Sequence, residues 1–282
     1  MLKSLLLALD GISDHRAAVV SAIMLAERHG CAVKVLLTVD AARVAEPEAV
    51  GVGGVAHHAH LEEALLGKLR GALAAIRPEV EQAFAAAGIV CELDVREGDA
   101  EQEVALEAQQ HDLLVLSSAL RRRRDEDAVE LDYALRLDHL IETVPGPILL
   151  ADSEPLRPTG AVAVAYDASP GAARALHALL ELGLAQDRPL HVVSVAASEE
   201  EASRTAGIAV ALAARYGVAA EAHGLVAGVA EVGEALLQAF ATLEPALVVM
   251  GAYGRRSWRD WLFGATTTLL LDRVKAPVLV SH

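Results

Sequence analysis

The alternation of apolar and polar positions divides the chain into two matching halves. Near the start, SLLLALDGISDHRAAVVSAIMLA places a continuous apolar run ahead of Asp10. A turn follows, then a segment with apolar residues at i, i+3 and i+4. After Gly160, AVAVAYDASPGAARALHALLELG repeats the plan, with its run ending at Asp167. AVKVLLTVD and PLHVVSVA follow as second strands, HDLLVLSS parallels PALVVMGA, and VPGPILLAD parallels VKAPVLVSH. Each half therefore reads β-α-β-α-β-α-β-α-β. Strands that are apolar throughout suit a parallel sheet covered on both faces. The expected fold is α/β, with two tandem open doubly wound parallel five-stranded sheets flanked by helices. The proline-bearing stretch DSEPLRPTG has linker composition, which sets the domains at 1–152 and 160–282 with a linker over 153–159.

Composition narrows the function classes. Apolar residues make up 54% of the 282 and aromatics only 3%, so the cores must be built from Ala, Val and Leu. No apolar run reaches the roughly eighteen residues needed to span a bilayer, and MLKSLLLALD is too short and too quickly acidic for a secretory signal. A cytoplasmic protein without a membrane partner is expected. Net charge of -15 argues against nucleic acid as a partner, because duplex binding relies on neutralising phosphates. Cys31 and Cys91 have no metal-like spacing.

Candidate chemistry gathers at strand ends, where doubly wound sheets bind their ligands. Gly251 closes the strand ALVVM, Gly254 follows three residues later, and Gly264 precedes ATTTLLLDRV. Bare backbone N–H groups around one point, together with a helix N-terminus, suit a phosphate. Thr266 and Thr267 add hydroxyls to that helix's first turn, and Arg255 and Arg256 add positive charge. The loop lacks the Gly-Lys-Ser/Thr ending of phosphate-loop nucleoside triphosphatases. It also follows the fourth strand of its half, not the first as in the dinucleotide fingerprint.

Gly-x2-Gly-x9-Gly after the fourth strand, an Asp ending the first strand and APVLV as the last strand resemble the universal stress protein family, once per half. The resemblance implies a tandem member that binds ATP, with or without Mg2+, or a related adenine nucleotide. Carried onto this chain, it places Asp167 at the adenosine end, Ala165 beside the base and the Val195 backbone at adenine. Met250 and Gly251 would line the ribose side, and Gly254, Gly264, Ala265, Thr266 and Thr267 would hold phosphates. Ala265 departs from the family's Ser or Thr, which weakens binding unless Thr267 compensates. The resemblance also implies pairing of the two halves through GPILLA and APVLVS as an intramolecular pseudo-dimer, with room for a homodimer and a protein partner of unknown identity.

The first half keeps Asp10 but not the loop. LLVLSSALRRRRDEDAVELDYALRLDHLI places Ser118 at the position of Gly251 and Arg121 at that of Gly254. This half is expected to be a degenerate copy, with Arg121 to Arg124 in a solvated loop. His57, His58 and His60 follow GVGG and are expected in a loop covering the first half's crevice. Trp258 and Trp261 suggest a short helix packed on the sheet. Ser169 before Pro170 reads as a helix cap. No residue grouping specifies a reaction. A binding protein of the stress response is therefore expected, ahead of a slow ATP-hydrolysing or adenylyl-transferring enzyme and of a structural protein with an empty nucleotide site.

Overall fold

The computed structural model describes residues 1–45, 55–117, 133–151, 153–252 and 265–282, the side chains of 55–59 excepted. The first half runs β1 (Ser4–Leu9), α1 (Arg16–His29), β2 (Ala32–Asp40), the single turn α2 (Ala41–Val44), α3 (Val55–Ala86), β3 (Cys91–Gly98), α4 (Ala100–Ala108), β4 (Leu113–Leu116), α5 (Leu137–Thr143) and β5 (Ile148–Leu150). The second runs β6 (Val162–Ala165), α6 (Pro170–Glu181), β7 (Leu190–Ala196), α7 (Glu199–Arg215), β8 (Ala220–Val226), α8 (Val232–Leu243), β9 (Leu247–Gly251), α9 (Ala265–Arg273) and β10 (Val278–Ser281). α3 starts at Val55, so the histidines expected in a loop lie in its first turns instead. His60 is exposed, while the side chains of His57 and His58 lie outside the described residues.

The two five-stranded sheets join edge to edge into one sheet of ten, in the order β3-β2-β1-β4-β5-β10-β9-β6-β7-β8. All neighbours are parallel except β5 and β10, which pair antiparallel as Leu150↔Val278, Leu149↔Leu279 and Ile148↔Val280. An antiparallel seam between two parallel halves is what a two-fold relation between them produces. It also covers two apolar edges that would otherwise be open to pairing with other chains. The outer edge of the first half is charged: β3 carries Glu92, Asp94, Arg96 and Glu97.

Side chains alternate across the sheet. Leu5, Leu7 and Leu9 of β1 join the layer of α1, α3, α6 and α7, whereas Leu6 and Ala8 join that of α4, α5, α8 and α9. Both layers run across the seam, through Leu149 and Leu279 on one face and Ile148, Leu150, Val278 and Val280 on the other. With few aromatics, helices approach the sheet closely on small residues. α7 buries Ala202, Ala206, Ala209 and Ala213 at helical spacing. Gly224 on β8 lies beneath it, and a Cβ there would stand 2.8 Å from the Ser203 Oγ.

The connecting stretch is more firmly held than its composition suggests. Leu156 is buried, and its N–H donates to the Ser21 Oγ at 2.8 Å. Arg28 donates to the Pro158 carbonyl at 2.9 Å, and Arg188 to that of Arg157.

Candidate functional site

In the second half, β6 pairs with β7 on one side and β9 on the other, so the chain reverses its winding at the carboxyl end of β6. This switch point is where an open α/β sheet leaves a crevice. The structure gathers Ala165 and Asp167 from the β6 exit, Val195 from the end of β7, Gly251 from the end of β9, and Ala265 to Thr267 from the start of α9. The Tyr166 N–H donates to the Val193 carbonyl at 2.9 Å, so Val193 turns its backbone polar groups toward β6. Strand alternation turns those of Val195 the same way, past the point where β6 ends.

Asp167 is exposed and accepts the Ser169 N–H at 2.9 Å on Oδ1. Between them Ala168 takes φ 57°, a left-handed conformation that costs a side-chain-bearing residue about 1–2 kcal/mol. Ser169 caps α6 by accepting the Ala172 N–H at 3.2 Å, with Pro170 in the first turn. Gly251 is required here by close packing: a Cβ would come within 2.5 Å of the Ala172 nitrogen and 2.6 Å of the Gly171 carbonyl carbon. The glycine lets the first turn of α6 sit directly against the end of β9.

The other expected residues divide by position. Met250 is buried in the layer of α8 and α9, against which Ala165 and Val195 also pack. Thr267 is buried, and its hydroxyl donates to the Ala252 carbonyl at 3.1 Å, pinning α9 to the β9 exit. Its one proton is therefore spent on that carbonyl. Ala265 is exposed and Thr266 half-buried at the start of α9. Gly254, Gly264, Arg255, Arg256, Trp258 and Trp261 lie outside the described residues, as do Ser118 and Arg121 to Arg124 in the first half.

Strand register sets the correspondence between the halves. Leu114 pairs with Ile148 as Val248 pairs with Val278. Ser117, one residue earlier than the sequence reading, thus matches Gly251. Counting back from the same strands sets Leu135 and Arg136, which precede α5, against Ala265 and Thr266, the first residues of α9. In the first half these positions are taken by the protein's own carboxylates. Asp10, 5% exposed, accepts the N–H groups of Ile12 and Ser13 on Oδ1 at 2.9 and 2.8 Å. On Oδ2 it accepts the Ser13 hydroxyl and the Leu135 N–H, each at 3.0 Å. Glu101 Oε1 accepts the Arg136 N–H at 3.0 Å. The Arg43 guanidinium joins Glu101, at 2.5 and 2.6 Å, to Asp40 at 2.9 Å. Burial pushes the Asp40 carboxyl up, against the Arg43 N–H and charge.

Two anionic oxygens thus sit on the amides leading into α5, and three carboxylates line the crevice. Among the described residues no carboxylate takes the Ala265 or Thr266 N–H. Sequence reasoning missed Glu101, Asp40 and Arg43 in this role. Their only signal was an Asp at the end of a second strand and a Glu in the first turn of a helix.

The model of the universal stress protein family matches this chain over residues 1–126 and again over 159–282. The chain belongs to the universal stress protein family. It carries the family's domain in tandem. A solved universal stress protein from Archaeoglobus fulgidus DSM 4304 is similar over 99% of this chain and 97% of its own, with a TM-score of 0.69 at 17% identity. A protein of unknown function from Pseudomonas aeruginosa PAO1 covers 99% and 92%, with a TM-score of 0.61 at 16% identity. At these identities the likeness is one of fold. The universal stress protein Slr1230 of Synechocystis is 28% identical over 145 residues, 51% of this chain and 49% of that protein. The chain spans about half the length of this curated relative. Among the described residues, no helix is long and apolar enough to cross a membrane.

Proposed function

We propose that this universal stress protein binds one adenine nucleotide, ATP with or without Mg2+, in the domain after the 153–159 connection, while the domain before it binds none. Asp167 and Ala165 would meet the adenosine, and the Val195 backbone the adenine. The amides of Gly254, Gly264, Ala265 and Thr266 would meet the phosphates at the positive end of α9. The nucleotide acts as a ligand that alters affinity for a protein partner in the stress response.

The contrast at the helix starts carries this reading. In the first half the matching amides hold the anionic oxygens of Asp10 and Glu101, so the place suits such oxygens. In the second half Asp167 is exposed and bonded only to its own turn among the described residues. Ala265 supplies no hydroxyl and Thr267 spends its proton on Ala252, so affinity falls short of a site with serine there.

Denaturing the purified chain and identifying the released small molecules by mass spectrometry tests the reading. An adenine nucleotide is expected from the parent and not from Gly254→Arg. Its absence from the parent, with no thermal shift at millimolar ATP, would overturn the proposal.

A further inference from the structure

At the opposite end of the second half's sheet, two imidazoles and a carboxylate converge without a structural task that requires all three. His191 and Glu221 are register partners on β7 and β8, and His223 lies two residues beyond Glu221 on the same face of β8. His191 Nδ1 lies 3.0 Å from His223 Nε2 and 3.3 Å from Glu221 Oε2, and His223 Nε2 lies 3.9 Å from the same Oε2. Only one proton fits between the facing ring nitrogens, so one imidazole must be neutral and present a lone pair.

These separations have a specific meaning for a metal. Ligand bonds of about 2.0–2.1 Å in tetrahedral geometry place donor atoms about 3.3 Å apart. A point about 2.0 Å from all three donors exists in the plane of those atoms, and closing the 3.9 Å separation toward about 3.3 Å would bring the angles to tetrahedral. All three residues stand on paired strands, which hold the separation better than a loop would. His191 is mostly buried, with its side chain 15% exposed, whereas Glu221 is 74% exposed and leaves the outer side open. His191 and Glu221 also line a cavity of about 590 Å³ with Arg188, Gly217 and Val218.

The first half supplies an independent comparison. By strand register Lys34 and Glu92 take the places of His191 and Glu221. There a cation fills the position: the Lys34 ammonium lies 3.0 Å from both Glu92 and Glu107. The second half lacks that lysine and offers two imidazole nitrogens and a carboxylate oxygen instead. We propose that His191, Glu221 and His223 form a binding site for a divalent transition ion, Zn2+ by its N2O donor set, with the fourth position open to water or an anionic group from the cavity. The site lies at the amino ends of the strands, away from the nucleotide crevice, so its fate is separate from that of the nucleotide reading.

Titration calorimetry with ZnCl2 on the full-length chain, dialysed against chelator and free of nucleotide, tests it. One equivalent is expected to bind with a Kd on the order of micromolar or below. His223→Ala and the exposed Glu221→Gln, each with unchanged circular dichroism, should weaken that binding at least about tenfold. Co2+ should give the intense visible bands of a tetrahedral ion in the parent and lose them in His223→Ala. Absence of binding up to about 100 µM, or binding unaffected by both substitutions, would overturn the site.

Discussion

The two switch-point crevices of this chain share a fold, a strand order and an aspartate at the first strand's end, yet they are finished in opposite ways. In the first half α1 starts at Arg16, six residues after Asp10; in the second α6 starts at Pro170, three after Asp167. The longer turn buries Asp10 and aims it across the crevice at the Leu135 N–H. The shorter turn leaves Asp167 at the surface and sets α6 against Gly251. A helix N-terminus attracts negative charge wherever it comes from. One half meets that demand from within its own chain, and the proposed function has the other meet it with a ligand. Under the proposed function, an empty first site needs no collapse of the crevice, only internal carboxylates on the amides leading into α5.

The aspartates should separate most widely. Asp10→Ala strands four donors, three of them buried, and is expected to lower unfolding free energy by at least about 3 kcal/mol in urea titrations. Asp167→Ala should cost less than about 1 kcal/mol, since its carboxylate is exposed. Equal costs would break the comparison. Gly251→Ser, which copies Ser117 of the first half, must push α6 away from β9. It should cost about 1–3 kcal/mol by the same measurement. Ala265→Ser returns one phosphate donor, and a hydrogen bond to a charged group of about 1.5 kcal/mol corresponds to roughly tenfold tighter ATP in calorimetry.

The smallest effect belongs to the outer strands. Burial raises the Glu107 carboxyl, but hydrogen bonds from Lys34 and Arg96 outweigh it and hold it below its usual value of 4.5. A depressed carboxyl contributes stability above that value, lost as pH falls through its folded one. Urea midpoints of the parent and Glu107→Gln should therefore differ at pH 7 and draw together as pH falls below 4.5 and through the lower folded value.

Much of the fold was legible because it rests on periodicity. Apolar runs closed by Asp10 and Asp167 marked the first strands, whereas the seam of GPILLA with APVLVS was implied by the family resemblance. What escaped the sequence depends on register and on contacts between distant positions. The reading of Ser118 against Gly251 is one residue off: HDLLVLSS laid on PALVVMGA already sets Ser117 there, and strand pairing agrees. The Gly-rich stretch before Val55 reads as a loop, yet helical pairing begins ahead of the histidines. Asp10, Asp40, Arg43 and Glu101 meet only after β1, β2 and α4 assemble. Thr267 looked like a phosphate ligand because hydroxyls suit that role, but the same hydroxyl also suits a free carbonyl at the β9 exit.

Calorimetric titration of nucleotide-free protein with ATP tests the difference between the halves most directly. One molecule should bind per chain, with binding lost in Asp167→Ala and Gly254→Arg and kept in any Asp10 variant that folds. Two molecules per chain, or a single one that disappears only when Asp10 is replaced, would contradict a sealed first crevice and an open second one.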